Sequence, residues 1–324
     1  MHAFNKILIS GASGFIGSHL VRRLIEDGFE VGIIKRDNSD IWRIKDIKNR
    51  IAVYEADLRD INGVSKSFSH FVPDAIFHLA TYYAIEHKIE EIARMVDTNV
   101  LGTINLLEAS KEHNVKLFAN TSSCFVYRES ANPVKESDPL KPLNLYAMTK
   151  LQAEQACSFY AEEYGLKSVT FRLFPPYGPA DHDRRLIPHV IRSIMKGDSL
   201  KLTTGRQKWD FVYIEDIIDA YVQLLYNKDF PFGHEIFNIG TGNSVAVRDV
   251  VIRINEVTGG KAQLFWGSYP HRNNEVWSMR ADISKAKSLL GWQPKTQILD
   301  DGLELTIKWY KYSVSEGANG SENN

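Results

Sequence analysis

The sequence predicts an α/β protein: a doubly wound parallel sheet with a smaller mixed α/β region toward the C-terminus. Three observations lead there. Six short apolar runs recur through the first half of the chain, they hardly alternate, and helix-length amphipathic segments separate them. Strands buried on both faces read as continuous apolar runs, and strand–helix alternation builds parallel sheets through right-handed crossovers.

The apolar runs are Lys6 to Ser10, Val31 to Lys35, Ile51 to Glu55, Ala75 to Ala80, Leu117 to Ser122 and Ser168 to Leu173, rich together in Ile, Val and Phe. Between them the spacing predicts helices over Phe15 to Asp27, Glu90 to His113 and Tyr146 to Tyr164. The pattern breaks after Arg172, at Pro175-Pro176-Tyr177-Gly178-Pro179. Beyond this cluster the elements are shorter and mixed, with helices expected over Ile187 to Lys196 and Val247 to Thr258. The chain therefore divides into a first domain over 1–174, a second region over 175–312 and a tail over 313–324. From Ser315 onward the only apolar residue is Ala318, so the tail is expected to lack structure.

Composition narrows the function. Of 324 residues, 44% are hydrophobic and 24% charged, the balance of an ordinary globular protein. Thirty-nine basic against forty acidic residues leave a net charge of -1, so no strong field draws nucleic acid or an anionic membrane. Two cysteines, Cys124 and Cys157, are too few for a disulfide scaffold or a cysteine zinc site, and no metal is expected. No apolar run reaches the roughly 18 residues of a membrane span. The start, Met1-His2-Ala3-Phe4-Asn5-Lys6, enters an apolar strand directly, without the pattern of a secretory leader. The expectation is a cytoplasmic protein that works on small molecules in a reducing compartment.

A glycine turn carries the first site. Gly11-Ala-Ser-Gly14-Phe-Ile-Gly17 follows the first strand and opens the first helix. A tight turn there needs residues without Cβ, the backbone must approach a pyrophosphate closely, and the helix N-terminus offers free N–H groups and partial positive charge. Gly11, Ser13, Gly14, Phe15, Ile16 and Gly17 are thus expected to hold a dinucleotide. In such folds the second strand usually ends in a carboxylate that binds the adenosine ribose. Here it ends in Lys35-Arg36-Asp37. Two cations at that point favour a 2′-phosphate, hence NADP(H) over NAD(H), while Asp37 keeps NAD(H) open. Asp57-Leu58, past the third strand, are candidates for adenine contacts.

A second constellation supplies chemistry. Tyr146-Ala-Met-Thr-Lys150 opens a long helix, and positions i and i+4 share a face. A cation beside a phenol lowers its pKa from about 10 toward neutrality, so Tyr146 can pass a proton to or from a substrate oxygen. Asn120-Thr121-Ser122-Ser123 ends the fifth strand at the edge where such sheets bind ligands, which places Thr121 near a cofactor and Ser123 near the reacting oxygen.

With these pieces in this order, the sequence resembles the extended short-chain dehydrogenase/reductases, the NAD-dependent epimerase/dehydratase family of nucleotide-sugar enzymes. Besides the glycines, the resemblance rests on Asp57-Leu58, His78-Leu79-Ala80, Asn99-Val-Leu-Gly-Thr103, Ser122-Ser123 with Val126-Tyr127, and Tyr146 with Lys150. Further on it rests on Tyr177-Gly-Pro179, Asp210-Phe-Val-Tyr213, Asn238-Ile-Gly240, Arg272 and Leu290-Gly-Trp-Gln-Pro294. It implies a Rossmann fold, with segments around 209–240 packing back onto the first domain. It implies catalytic roles for Ser123, Tyr146 and Lys150, and a further hold by Lys150 on the nicotinamide ribose. Leu79, Ala80 and Thr81 would also touch the cofactor, and Asn99 would be structural. The implied partner is a nucleotide sugar contacted by Ser123, Cys124, Phe125, Pro175 and Arg272. A homodimer through the helices starting near Glu90 and Tyr146 is implied too.

Family members differ in reaction. The 4,6-dehydratases carry Asp-Glu where this chain has Cys124 and Phe125, neither of which acts as an acid or base. The 4-epimerases hold NAD and mostly keep a carboxylate where Lys35 sits. Lys35-Arg36-Asp37 is similar instead to NADPH-using reductases of 4-keto-6-deoxy sugars. Thr203 to Phe211 and Arg272-Asn-Asn-Glu-Val276 resemble the CDP-abequose and CDP-paratose synthases in particular. Two positions depart from the common pattern: Pro175 replaces an Asn, and Trp209 replaces a diphosphate-binding Arg, for which Arg184, Arg185 or Lys208 could substitute. The resemblance thus implies 4-keto reduction, with an NAD-dependent 4-epimerase as the alternative and a non-catalytic nucleotide-binding protein as a remote one.

Overall fold

In the computed structural model, which describes residues 4–84, 88–227, 233–272 and 275–319, the first apolar run is strand β1, Lys6–Ser10, and the glycine turn leads into helix α1, Phe15–Glu26. Strands β2 (Glu30–Lys35) and β3 (Ala52–Glu55) follow, joined across a short-helical stretch at Trp42–Arg50. Helix α2 (Ile61–Phe71) returns the chain to β4 (Ala75–His78), two residues shorter than the apolar run suggested. The segment expected as one helix from Glu90 to His113 is α3 (Ile89–Val96) and α4 (Gly102–Glu112), joined through a wider π turn at Asp97–Leu101. Strand β5 (Leu117–Ser123), helix α5 (Leu145–Tyr164) and strand β6 (Ser168–Leu173) complete the repeat.

Past the prolines come β7 (Pro176–Tyr177), α6 (Leu186–Met195), β8 (Leu200–Leu202), β9 (Lys208–Trp209), β10 (Val212–Tyr213), α7 (Ile214–Tyr226) and β11 (His234–Ile239). Then β12 (Val245–Ala246), α8 (Val247–Thr258), β13 (Leu264–Trp266), β14 (Ser278–Met279) and α9 (Leu303–Asn319) follow. The tail expected to lack structure from 313 is helical as far as Asn319, because adding residues to a helix already formed is far easier than nucleating one. Residues 320–324 of that tail lie outside the described residues.

Seven strands form one sheet in the order β11-β6-β5-β4-β1-β2-β3, every neighbour parallel. Strand β1 sits between β2 and β4, with Ile7 opposite both Val31 and Ala75. The strand order reverses there, and ligands of doubly wound sheets bind in the crevice beyond that point. Both faces are covered: Ile7, Leu8, Ile9, Phe77, Phe118 and Phe171 have no exposed surface to within a per cent. The seventh strand, β11, comes from beyond the proline cluster. Its polar residues His234, Glu235 and Asn238 interrupt the apolar run that marks the other strands.

The C-terminal elements are tied to the sheet through buried carboxylates. Asp210 accepts from the amides of Thr241, Gly242 and Ala281 and from the Thr241 hydroxyl, at 2.6–3.0 Å. Asp216, on α7, receives the Lys295 and Thr296 amides at 2.9 and 3.0 Å, while the Trp292 indole donates to its carbonyl at 2.8 Å. These bonds explain why Leu290-Gly-Trp-Gln-Pro294 reads as a motif: it docks on α7.

One glycine here is a packing requirement. A Cβ on Gly302 would lie 1.8 Å from the Tyr177 hydroxyl, and Tyr177 is buried. Gly302→Ala is expected to lower stability by about 1–3 kcal/mol, the usual cost of overpacking. Urea denaturation measures it, and adding Tyr177→Phe, which removes the clashing oxygen, should restore part of the loss.

Candidate active site

The glycine turn lies at the crevice, and its three glycines are there for different reasons. Gly11 has φ +75°, and a Cβ on it would meet the Ala80 amide at 2.5 Å. A Cβ on Gly17 would meet the Gly11 carbonyl at 2.2 Å. The protein's own backbone excludes side chains at both. At Gly14 the nearest atom to such a Cβ is the Gly11 oxygen, at 3.2 Å, and the residue is exposed. Gly14 is also the N-cap of α1, which has no side-chain cap and no acid in its first turn. The positive end of the helix, with the free amides of its first turn around Phe15 and Ile16, is thus open to an anion. This cradle fits the pyrophosphate of a dinucleotide, and its floor is where a Cβ at 14 would stand.

The end of β2 corrects one expectation. Lys35 is not a free cation: its ammonium pairs with Glu55 at 2.7 Å and donates to the carbonyls of Arg36 and Asp37. The cause is register, since Lys35 faces Glu55 across β2 and β3. Arg36 and Asp37 are exposed, and the Arg36 guanidinium has no hydrogen-bond partner among the described residues, though its charge reaches the Asp57 carboxylate. The Asp57 carboxylate is gripped by the Arg59 guanidinium at 2.7 and 3.0 Å, which holds its carboxyl below the usual range despite partial burial. The Leu58 side chain is buried, against Gly102.

Strand β5 is buried along its whole length and delivers its polar end to the same edge. The Thr121 hydroxyl bonds the Tyr221 hydroxyl of α7. Ser123 Oγ accepts from the Phe125 amide at 3.2 Å, and its side chain also meets the Cys124 thiol. The Cys124 thiol is buried, and burial pushes its pKa up, so it stays protonated at neutral pH. Phe125 meets Trp209 edge-on at 5.7 Å, an aromatic wall where an Asp-Glu pair would otherwise supply proton chemistry.

Helix α5 presents the second half. Asn144 caps it, its side-chain oxygen accepting from the Ala147 amide at 2.9 Å, and so fixes Tyr146 in the first turn. Tyr146 and Lys150 are both buried on one face. Burial raises the Tyr146 phenol well above its ordinary pKa; Tyr83 beside it adds to the rise, and the Thr81 hydroxyl and Arg185 pull the other way. Lys150, expected to lower it, is not among the groups that act on the phenol; the Thr81 hydroxyl and Arg185 are the neighbours that favour the phenolate. Burial also brings Lys150 down, to about 8, against the pull of Glu154. Its ammonium has no hydrogen-bond partner among the described residues.

Asn99 fastens these pieces. The π turn carries its amide to the Tyr82 carbonyl and the Thr149 hydroxyl at 3.1 and 3.0 Å. Its oxygen takes the Tyr82 amide and the Thr81 hydroxyl at 2.7 and 3.1 Å. The loop after β4, beginning at Leu79 and Ala80, is thereby tied to α5. Sequence reasoning missed Tyr83 in this loop. Its ring stands edge-on to Tyr146 at 4.9 Å, and the charges of Arg185 and Arg272 reach its phenol. The signal was a pair of tyrosines directly beyond a buried strand end. Arg272 is exposed; Asn273 and Asn274 of its motif lie outside the described residues. Pro175 is half-buried, and its carbonyl receives the Val212 amide at 3.0 Å. A cavity of about 470 Å³ beside β11, lined by Glu136, His234, Asp282 and Lys285 among others, contains none of the catalytic candidates. No helix of the described residues is long and apolar enough to cross a membrane.

A parallel sheet with a glycine cradle at its switch point, and a buried tyrosine and lysine one turn apart on the helix that follows β5, is the arrangement of an extended short-chain dehydrogenase/reductase. Comparison with known proteins gives the family: its model, described as the NAD dependent epimerase/dehydratase family, matches residues 7–240, and the chain belongs to it. It is 30% identical to a UDP-glucose 4-epimerase of Lactobacillus helveticus over 94% of this chain and 97% of that one. It is also 30% identical to the CDP-abequose synthase of Salmonella typhimurium, over 89% and 93%. Among solved structures, it superposes on a UDP-glucuronic acid 4-epimerase from Bacillus cereus, in complex with UDP-glucuronic acid and NAD, with a TM-score of 0.85, 29% identity, and coverage of 95% of this chain and 99% of that one.

Proposed function

We propose that the chain reduces the 4-keto group of a nucleoside-diphosphate 4-keto-6-deoxyhexose with NADPH. The observation that carries this reading is the end of β2, where Arg36 stands exposed with no hydrogen-bond partner among the described residues. The match to a CDP-abequose synthase supports it. Residues 1–174 would hold the dinucleotide through Gly11, Ser13, Gly14, Phe15, Ile16 and Gly17, and 175–312 would mainly hold the sugar nucleotide.

The dinucleotide, when bound, supplies the hydride. The chain's residues handle the oxygen and its proton. Tyr146, whose high pKa keeps its proton at neutral pH, donates that proton to the carbonyl oxygen as negative charge grows there. Ser123 donates a hydrogen bond to the same oxygen. Lys150 offers its unpartnered ammonium to the ribose and opposes charge on the spent phenolate. Arg185 and Arg272, whose charges both reach the Tyr83 phenol, would act on the diphosphate, and Phe125 with Trp209 would wall the sugar. Met148 and Phe159 are exposed on one side of α5 and would suit the homodimer that the family resemblance implies.

A second reading, a 4-epimerase that oxidises and re-reduces the sugar with bound NAD, is favoured by the epimerases among the relatives and structures. Cofactor choice separates the two. A charge-assisted bond from Arg36 to a 2′-phosphate, weakened by exposure and salt, corresponds to about tenfold in Kd. The native protein should bind NADPH several-fold tighter than NADH, and Arg36→Ala should erase most of that difference by weakening NADPH. Fluorescence titration of both cofactors at fixed ionic strength measures it. Equal binding, or NAD released from the purified protein on denaturation, would give the epimerase the stronger case.

A further inference from the structure

Behind the catalytic candidates lies a buried charge network that the reaction as described does not use. Glu154 follows Lys150 by one helical turn on the same face of α5, and the two residues are 3% and 2% exposed. From β6, Arg172 grips the Glu154 carboxylate with Nε at 3.1 and 3.2 Å and Nη2 at 2.7 Å. Its Nη1 donates to the Tyr127 hydroxyl at 2.8 Å and the Glu136 carbonyl at 3.1 Å. Tyr127 in turn donates to Asn238 at 2.6 Å. The guanidinium is fixed on every side, so the carboxylate it holds is fixed as well.

A buried ion pair is rarely needed for stability, since well-packed apolar residues of the same volume often serve as well or better. Its position suggests another use. We propose that Glu154 is a positioning residue for the reaction: held in place by Arg172, it keeps Lys150 protonated behind Tyr146. This rests on the reading of Lys150 as partner to Tyr146.

The surroundings of Lys150 leave that task to Glu154. From β4, His78 lies on the other side; its buried ring is driven down to about 3 and stays neutral. Its nitrogens are taken by the Ser10 and Thr103 hydroxyls at 2.6 and 2.9 Å. On α5 itself, burial pushes up the Cys157 thiol and the Tyr146 phenol, so both are neutral at physiological pH. The nearby groups of Asn99 and Thr149 carry no charge. Among the described groups that act on Lys150, Glu154 is therefore the one that remains an anion. Burial alone strips the proton from an ammonium, and an opposite charge within about 4–6 Å restores it. Without its cation partner, a buried carboxylate would itself tend to take up a proton, which gives Arg172 its place.

The test reads Lys150 directly, without catalysis. In the full chain labelled with [¹³C]lysine, the Cε signal of Lys150, assigned by its loss in Lys150→Met, is followed against pH. The native midpoint is expected near 8. In Glu154→Gln the loss of the carboxylate charge should move it down by about one pH unit or more. Should that variant not fold, Glu154→Leu combined with Arg172→Met keeps volume and removes both charges. It should still titrate at least about half a unit below native, because the Glu154 charge acts on Lys150 and that of Arg172 is not among those that do. Midpoints that stay at the native value overturn the inference and leave the role of Tyr146 untouched. Full activity in Tyr146→Phe would instead overturn the functional reading, and the inference with it.

Discussion

Tyr146→Phe is expected to lower kcat by about 10²–10⁴-fold, the usual loss when a positioned general acid is removed. The structure explains why little else should change. The phenol is buried in the first turn of a capped helix, and its ring packs edge-on against Tyr83. Phenylalanine keeps that ring and that contact, so Tm should shift little. Cofactor affinity should hold within about twofold, because the glycine cradle and Lys150 remain, and a factor of two is less than a single hydrogen bond is worth. Steady-state rates with a 4-keto nucleotide sugar, alongside cofactor titration, make the measurement. A variant that keeps more than about half the native rate would remove Tyr146 from the chemistry, since no general acid so easily spared contributes the usual factor. The high phenol pKa adds a sign. As an acid, Tyr146 should sustain reduction across neutral pH, while the reverse oxidation, which needs the phenolate, should gain rate as pH rises.

The sheet was legible because its strands are buried on both faces. Leu117 to Ser122 and Ser168 to Leu173 read as runs, and the structure shows β5 and β6 buried from end to end. What hid β11 was its place at the sheet edge, where His234 and Glu235 break the apolar pattern. The glycine turn and the Tyr146–Lys150 spacing were also legible, since both are local: a turn without Cβ, and one helical turn. Contacts across the sheet were not. That Glu55 neutralises Lys35 depends on which residue of β3 faces which of β2, and no local pattern gives that register. That Thr121 bonds Tyr221, one hundred residues away, was hidden for the same reason. The balance of burial and charge at Tyr146 depends on Tyr83, Thr81 and Arg185, which only the fold brings together.

Gly14→Val should abolish dinucleotide binding while leaving the fold intact, and the contrast with its neighbours makes it a sharp test. At Gly11 and Gly17 any side chain collides with the protein's own backbone, at 2.5 and 2.2 Å, so loss of binding there would not be separable from damage to the turn. Gly14 has φ -76° and ψ 178°, extended backbone that valine adopts without strain, and only the Gly11 oxygen is within reach, at 3.2 Å. The valine methyls would stand over the open N-terminus of α1, in the space a pyrophosphate needs to meet the free amides. Circular dichroism and Tm should therefore stay close to native. Affinity for NADPH and NADH alike should fall by more than about 100-fold, because both share the pyrophosphate and lose several charge-assisted bonds at once. Isothermal titration with each cofactor measures it. Normal binding by a folded Gly14→Val would mean that the turn only packs α1 on β1, and that the dinucleotide site lies elsewhere along the sheet edge.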